Sequence, residues 1–207
     1  MLLQTLRLRL PSPRYLLTSA LPAGEWALKH IPLSQASAYL DFINLMAYDF
    51  SGAWVDQVGH HAQLYSPRRP HCSAAALSAD SSFRYYRSRG VPAEKIVLGI
   101  PAYGRSFLAS KGLGSSYSGH GGDDGTFEFR ELPRPEAKEF VDMSVGAAWC
   151  VGEDGGWVSY DNEQTVRMKA AYALRKELGG VFFWTGTGDK TGDESLVDAA
   201  WRALHTS

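Results

Sequence analysis

Phe42-Ile43-Asn44-Leu45-Met46-Ala47-Tyr48-Asp49-Phe50-Ser51-Gly52-Ala53-Trp54 is the stretch that decides the fold. It opens as an apolar run that does not alternate with polar residues. Such a run is what a strand needs in a parallel sheet covered on both faces. Three other segments read the same way: Tyr15–Ser19, Ile96–Ile100 and Val181–Trp184. Helical patterns lie between and after them. Ser34–Leu40 is a short one. Ser78–Arg89 stops at Gly90, with Pro92 just beyond. Asn162–Leu178 carries Val166, Ala170, Leu174 and Leu178 on one stripe and ends at Gly179. Asp161 is its expected cap, with Gln164 completing a capping-box pattern. Ser195–Leu204 is the last helix. The order β-α-β-α-β-insertion-α-β-α makes an α/β protein with parallel strands and right-handed crossovers.

One interval breaks that rhythm, between Tyr103 and Asp161. Thr126–Arg130 alternates like an exposed antiparallel strand, and Val145–Cys150 is a further apolar piece. Ser110–Gly125 is dense in Gly and Ser and reads as a loop. The interval is expected to be a small inserted α+β subdomain at the C-terminal end of a strand, the end where parallel α/β folds bind ligands.

Composition narrows the function classes. The chain has 207 residues, 44% hydrophobic, with a formal net charge of −1. It is too apolar and too weakly charged for a disordered chain, and it shows no basic excess for nucleic acid. No run approaches the ~18–20 apolar residues of a membrane span. Arg7 and Arg9 interrupt the apolar start, so Met1–Leu10 is not a convincing signal peptide, and the compartment stays open. Cys72 and Cys150 are the two cysteines; one bridge or two thiols are both open. His60, His61, His71 and Cys72 cluster without metal-ligand spacing. Gly188-Asp189-Lys190-Thr191 has Asp where a phosphate loop needs Gly before Lys. Neither a metal nor a cofactor is expected. Six Trp, ten Tyr and nine Phe suit a protein that stacks on flat ligands.

The chemistry sits after the strands. The second runs into Tyr48, Asp49 and Trp54, the third into Tyr103 and Arg105, and the last ends on Trp184. Any one of these alone reads more readily as a core aromatic or, for Asp49, a helix cap. The same chemistry at three strand ends favours a ligand mouth. Aromatic platforms with a few fixed polar groups are what a sugar needs, because ring faces stack and hydroxyls hydrogen-bond.

Met46-Ala47-Tyr48-Asp49, Leu98-Gly99-Ile100-Pro101-Ala102-Tyr103-Gly104-Arg105, Val158-Ser159-Tyr160-Asp161-Asn162 and Gly179-Gly180-Val181-Phe182-Phe183-Trp184 together resemble the second half of a glycoside hydrolase family 18 chitinase, most closely the fungal members. The resemblance runs from about Tyr15 to Leu204. It implies a partial (β/α)8 TIM barrel of about strands five to eight. Residues 1–106 and 158–207 would belong to the barrel, and 107–157 to the family's inserted α+β subdomain. It implies hydrolysis of β-1,4-linked N-acetylglucosamine polymers by substrate-assisted retention, a departure from the two-carboxylate scheme. By resemblance, Tyr48 would hold the acetamido carbonyl, and Asp49 would place negative charge beside the acid. Trp184 would floor the distorted sugar, with Met46 beneath it. Tyr103 and Arg105 would line the neighbouring sugars, and Trp54 would stack on the leaving side. The implied partners are chitin and chito-oligosaccharides.

One departure matters most. The family's proton-donating Glu lies in D-x-x-D-x-D-x-E, and neither that pattern nor S-x-G-G occurs in the chain. Both are expected to lie before residue 1. A half-barrel would expose two sheet edges, open to self-association, and one open core face. Three readings follow: a chitinase piece inactive alone, a lectin-like remnant that grips chito-oligosaccharides, or a non-catalytic module that pairs through its edges.

Overall fold

The computed structural model describes residues 2–70, 73–152 and 156–205. Helix α1 (Leu2–Arg9) precedes strand β1 (Thr18–Pro22), then α2 (Glu25–Leu28), α3 (Leu33–Tyr39) and β2 (Phe42–Met46). Next come α4 (Ser73–Ala76), α5 (Ala79–Ser88), β3 (Ile96–Pro101) and β4 (Tyr103–Phe107). Strands β5 (Thr126–Glu128), β6 (Lys138–Asp142), β7 (Ala147–Val151) and β8 (Trp157–Tyr160) follow, then α6 (Glu163–Arg175), β9 (Gly180–Trp184) and α7 (Leu196–His205).

The first sheet is parallel, in the order β1-β2-β3-β9. Ile43, Leu45, Ile96 and Leu98 point to its helical side and are fully buried against Leu33, Phe83, Tyr86 and Tyr172. The opposite face is not covered. Along β2, burial alternates between full and partial, and along β1 between exposed and partial. Coverage on both faces was the expectation; the structure shows it on the helical face only.

Strand β1 also starts three residues later than expected. The Asp41 carboxylate accepts the Leu17 N–H at 2.6 Å and the Arg7 guanidinium at 2.5 Å, and the Asp41 N–H bonds back to the Leu17 carbonyl at 2.8 Å. This knot makes Thr18 the first residue to pair with Phe42. Leu16 is left 69% exposed outside the ladder. The cap of α6 is corrected too. Asn162, not Asp161, accepts the N3 amide, and Thr165, not Gln164, closes the box. Asp161 is instead wholly buried in an ion pair with Lys169 and accepts the Thr165 hydroxyl at 2.7 Å. The helix ends at Arg175 rather than Leu178, because Glu177 turns left-handed at φ 55° and the Leu178 N–H bonds back to the Ala173 carbonyl at 2.9 Å; the Gly179 N–H then bonds the Ile96 carbonyl at 2.9 Å on the way into β9.

The inserted interval forms a second sheet, antiparallel, in the order β5-β4-β8-β7-β6. An α+β subdomain was the expectation, and the structure departs from it. Among the described residues from Tyr103 to Tyr160 there are five strands and a 3₁₀ turn at Phe129–Glu131, with no α-helix. The connecting segments are dominated by Gly, Ser and Pro, which favour turns over helix. Cys150, Val158 and Tyr160 bury one face of this sheet against Val166, Ala170, Leu196 and Ala200 of α6 and α7. His71 and Cys72 lie outside the described residues. No helix among the described residues is long and apolar enough to cross a membrane.

Candidate active site

The open face of the parallel sheet is the floor of a cleft of about 620 Å³. Alternation of side chains along a strand selects which residues reach it. Ala20, Asn44, Met46, Phe182 and Trp184 line it from the sheet, Tyr48 and Asp49 from the end of β2, and Tyr103, Arg105 and Thr126 from the antiparallel sheet. The second sheet therefore walls one side. Tyr103↔Glu128 and Arg105↔Thr126 are cross-strand pairs on that same face.

Asp49 is the electrostatic centre. Its backbone is left-handed, at φ 59°, a conformation that Asp tolerates better than most side chains. Oδ1 accepts the Tyr103 hydroxyl at 2.8 Å and Arg105 Nε at 2.9 Å, and Oδ2 accepts Arg105 Nη2 at 3.0 Å. The Arg105 fork is thus bidentate, the geometry a guanidinium makes best. Its remaining nitrogen donates to the Thr126 hydroxyl at 2.8 Å. His61, fully buried, places Nδ1 3.7 Å from the same carboxylate. Burial works against the Asp49 charge, but His61 and Arg105 beside it prevail, and its pKa falls well below the usual carboxylate range. Burial, together with the Asp49 charge, pushes the Tyr48 hydroxyl up to about 12 and Tyr103 higher still. Both phenols keep their protons at neutral pH and can donate them in hydrogen bonds.

Glycine makes this packing possible. A β-carbon at Gly99 would stand 2.7 Å from the Phe182 ring and 2.8 Å from the Tyr48 ring. Without one, Tyr48 meets Phe182 and Tyr103 edge-on, with centroids 6.4 and 6.1 Å apart. Trp184 closes β9 with 57% of its surface exposed. Trp54 lies beside the cleft rather than in its lining, with the Arg105 guanidinium 5.0 Å above its ring. All seven residues expected from the sequence therefore share one region: six line the cleft, and Trp54 joins through Arg105.

A depressed Asp49 pKa is a stability statement with a definite sign. The carboxylate stabilises the fold above its unfolded pKa of about 3.9. That contribution fades as pH falls below this value toward the lower folded pKa. Replacing Arg105 by Gln should lower the melting temperature at pH 7 and shrink the further drop between pH 7 and pH 3. Calorimetry at the two pH values checks this. An undiminished acid drop in the variant would mean that the clamp does not hold the Asp49 charge.

The family model of glycosyl hydrolases family 18 matches residues 1–189. The chain belongs to glycosyl hydrolase family 18. It is 34% identical over 197 residues to Chitinase 1 of Aphanocladium album, covering 92% of this chain and 46% of that protein. It thus spans about half the length of this curated relative. A plant class V chitinase mutant from Cycas revoluta, solved in complex with (GlcNAc)3, superposes with a TM-score of 0.81 at 33% identity, over 98% of this chain and 59% of that one. Catalytic domain 2 of the Ostrinia furnacalis Group II chitinase, solved as a mutant in complex with (NAG)5, superposes at 0.90 with 25% identity, over 100% of this chain and 59% of that one.

In this family 18 chain, Asp49 is the one carboxylate among the residues lining the cleft. The acidic residues after Trp184 are engaged elsewhere. Asp189 accepts the amides of Leu196 and Val197 at 2.9 and 3.1 Å at the start of α7, Asp193 pairs with Arg202 at 2.8 Å, and Glu194 lies 3.4 Å from Lys190. Among the described residues no three His, Cys, Asp or Glu side chains come together as a metal site.

Sequence reasoning did not single out Ala20, Asn44, Phe182 or Thr126, and it named His61 only within the His60, His61, His71 and Cys72 cluster, not as a neighbour of Asp49. Period-two alternation backward from Met46 and Trp184 reaches Asn44 and Phe182. Nothing in the local sequence ties His61 to Asp49, which it reaches through the return of the loop after β2.

Proposed function

We infer that this chain is the substrate-positioning part of a chitinase cleft, built for β-1,4-linked N-acetylglucosamine. The observation that carries this is the gathering of Met46, Tyr48, Asp49, Tyr103, Arg105 and Trp184 around one cleft. The family membership and the chito-oligosaccharides in the Cycas and Ostrinia complexes support the ligand class. In this reading β1, β2, β3 and β9 correspond to strands five to eight of a (β/α)8 barrel. The barrel takes residues 1–106 and 158–207, with 107–157 as the insertion.

The roles that the resemblance implies fit this geometry. Trp184 offers a half-exposed indole face as the floor of the central sugar, with Met46 packed alongside. Tyr48 keeps its proton and donates it to the acetamido carbonyl, holding that oxygen for attack on C1. This is a positioning effect. Asp49 supplies fixed negative charge, which stabilises the cationic intermediate and a neighbouring acid's proton. Arg105 and Tyr103 hold the Asp49 carboxylate in place and line the adjacent sugar, and Trp54 stacks on the leaving side.

Protonation of the leaving oxygen needs an acid, and D-x-x-D-x-D-x-E is absent from the chain. Asp49, ionised and clamped, does not replace it. The same observation favours a second reading, a lectin-like protein that holds chito-oligosaccharides without cutting them. A titration of the purified chain with chitotetraose separates the two. The positioning reading expects weak binding, in the millimolar range, that is lost in Trp184→Ala. Micromolar affinity favours the lectin. No binding at any concentration rejects both.

A further inference from the structure

His61 stands behind Asp49 with no partner for its ring. It is wholly buried, and neither imidazole nitrogen hydrogen-bonds to a described residue. Buried polar groups are nearly always paired, so an orphaned imidazole beside a functional carboxylate needs a reason. The residue is fixed where it stands. Its backbone N–H donates to the Ser159 hydroxyl at 3.3 Å, and its carbonyl accepts the Phe50 N–H at 3.0 Å. The Tyr103 ring lies against the imidazole, with centroids 5.2 Å apart at 46°. His60, next in the chain, packs against Trp149 and Trp157 instead.

His61 Nδ1 is 3.7 Å from Asp49 Oδ1. An N–H···O bond is about 2.9 Å long, so an approach of about 0.8 Å would make one. The same oxygen already accepts the Tyr103 hydroxyl at 2.8 Å and Arg105 Nε at 2.9 Å. Both of those donors also line the cleft. A tyrosine hydroxyl has one proton to give. When a ligand oxygen takes it, Asp49 Oδ1 loses a donor. The Asp49 side chain is 35% exposed and His61 0%, so the imidazole meets the carboxylate from the side that solvent does not reach.

We propose that His61 is a positioning residue for Asp49, the reserve donor that takes up the carboxylate when a ligand draws the Tyr103 hydroxyl away. The proposal rests on the cleft being a chito-oligosaccharide site. A carboxylate only accepts, so the bond needs a proton on Nδ1, which one neutral tautomer and the imidazolium both carry. Arg105 Nη2, bonded to Oδ2 at 3.0 Å, anchors the other oxygen throughout. The exchange keeps Asp49 ionised and in place while the Tyr103 proton is spent on the sugar.

The test reads the imidazole directly, by nuclear magnetic resonance of the full chain labelled with nitrogen-15 at histidine. Tyr103→Phe keeps the ring against His61 and removes only the hydroxyl. In that variant, without ligand, a hydrogen-bonded His61 Nδ1–H signal should appear that the ligand-free parent lacks. Chitotetraose should bring out the same signal in the parent. His61→Phe should weaken chitotetraose binding about tenfold, the lower end of the worth of a hydrogen bond to a charged group. His61→Asn should restore most of that loss, because its amide nitrogen can stand where Nδ1 does. Absence of the signal from ligand-free Tyr103→Phe, or from the parent saturated with chitotetraose, overturns the proposal and leaves the cleft standing. So does His61→Phe binding chitotetraose like the parent. A parent chain that binds no chitotetraose overturns both.

Discussion

Lys169→Ala is expected to destabilise the chain by about 3–5 kcal/mol, the effect of stranding one charge of a buried pair. Lys169 and Asp161 are each 1% exposed, and the ammonium is bonded to the carboxylate between α6 and the end of β8. Burial pulls the Lys169 pKa down, and Asp161 pulls it back up. Removing the lysine leaves a carboxylate with the Thr165 hydroxyl and no countercharge. Lys169→Met with Asp161→Asn should recover much of the loss, since the amide oxygen can still accept from Thr165. Chemical denaturation measures both. A loss below about 1 kcal/mol, the range of exposed pairs, would show that the pair is solvated.

The second large effect concerns turnover. Purified chain should cleave a fluorogenic chito-oligosaccharide at least ~10²–10⁴-fold more slowly than a family 18 enzyme carrying its acid, the usual worth of general acid catalysis. Lost geometry adds to that factor. The reasoning is local: the cleft's one carboxylate among the described residues is held ionised by His61 and Arg105. Turnover within tenfold of such an enzyme, abolished by Trp184→Ala, would mean that a proton donor exists in the chain after all.

Much of this was legible in the sequence, for physical reasons that differ by element. Strands β2, β3 and β9 are short apolar runs bounded by polar or glycine residues, and each is followed by its functional residues. Reading outward from a strand end therefore located Tyr48, Asp49, Tyr103, Arg105 and Trp184 without any tertiary knowledge. Strand β1 was misplaced because Leu16 and Leu17 are as apolar as its true members. A distant carboxylate, Asp41, decides where pairing begins. Asp161 has the right chemistry for a helix cap, and the burial of Lys169 diverts it. The wall of the cleft was harder. Thr126 is one polar residue in a three-residue strand, and it matters because Arg105 sits opposite it in the register. His61 depends on a loop path that no periodicity encodes.

Contact between the open sheet face and the sugar is the central claim, and saturation-transfer difference spectroscopy on chitotetraose tests it most directly. Irradiating the aromatic protons of the chain should transfer saturation to the acetamido methyl and ring protons of the sugar. Those signals should vanish with Trp184→Ala and weaken with Tyr48→Phe. Transfer that persists unchanged in Trp184→Ala, or no transfer from the parent chain, would contradict the claim.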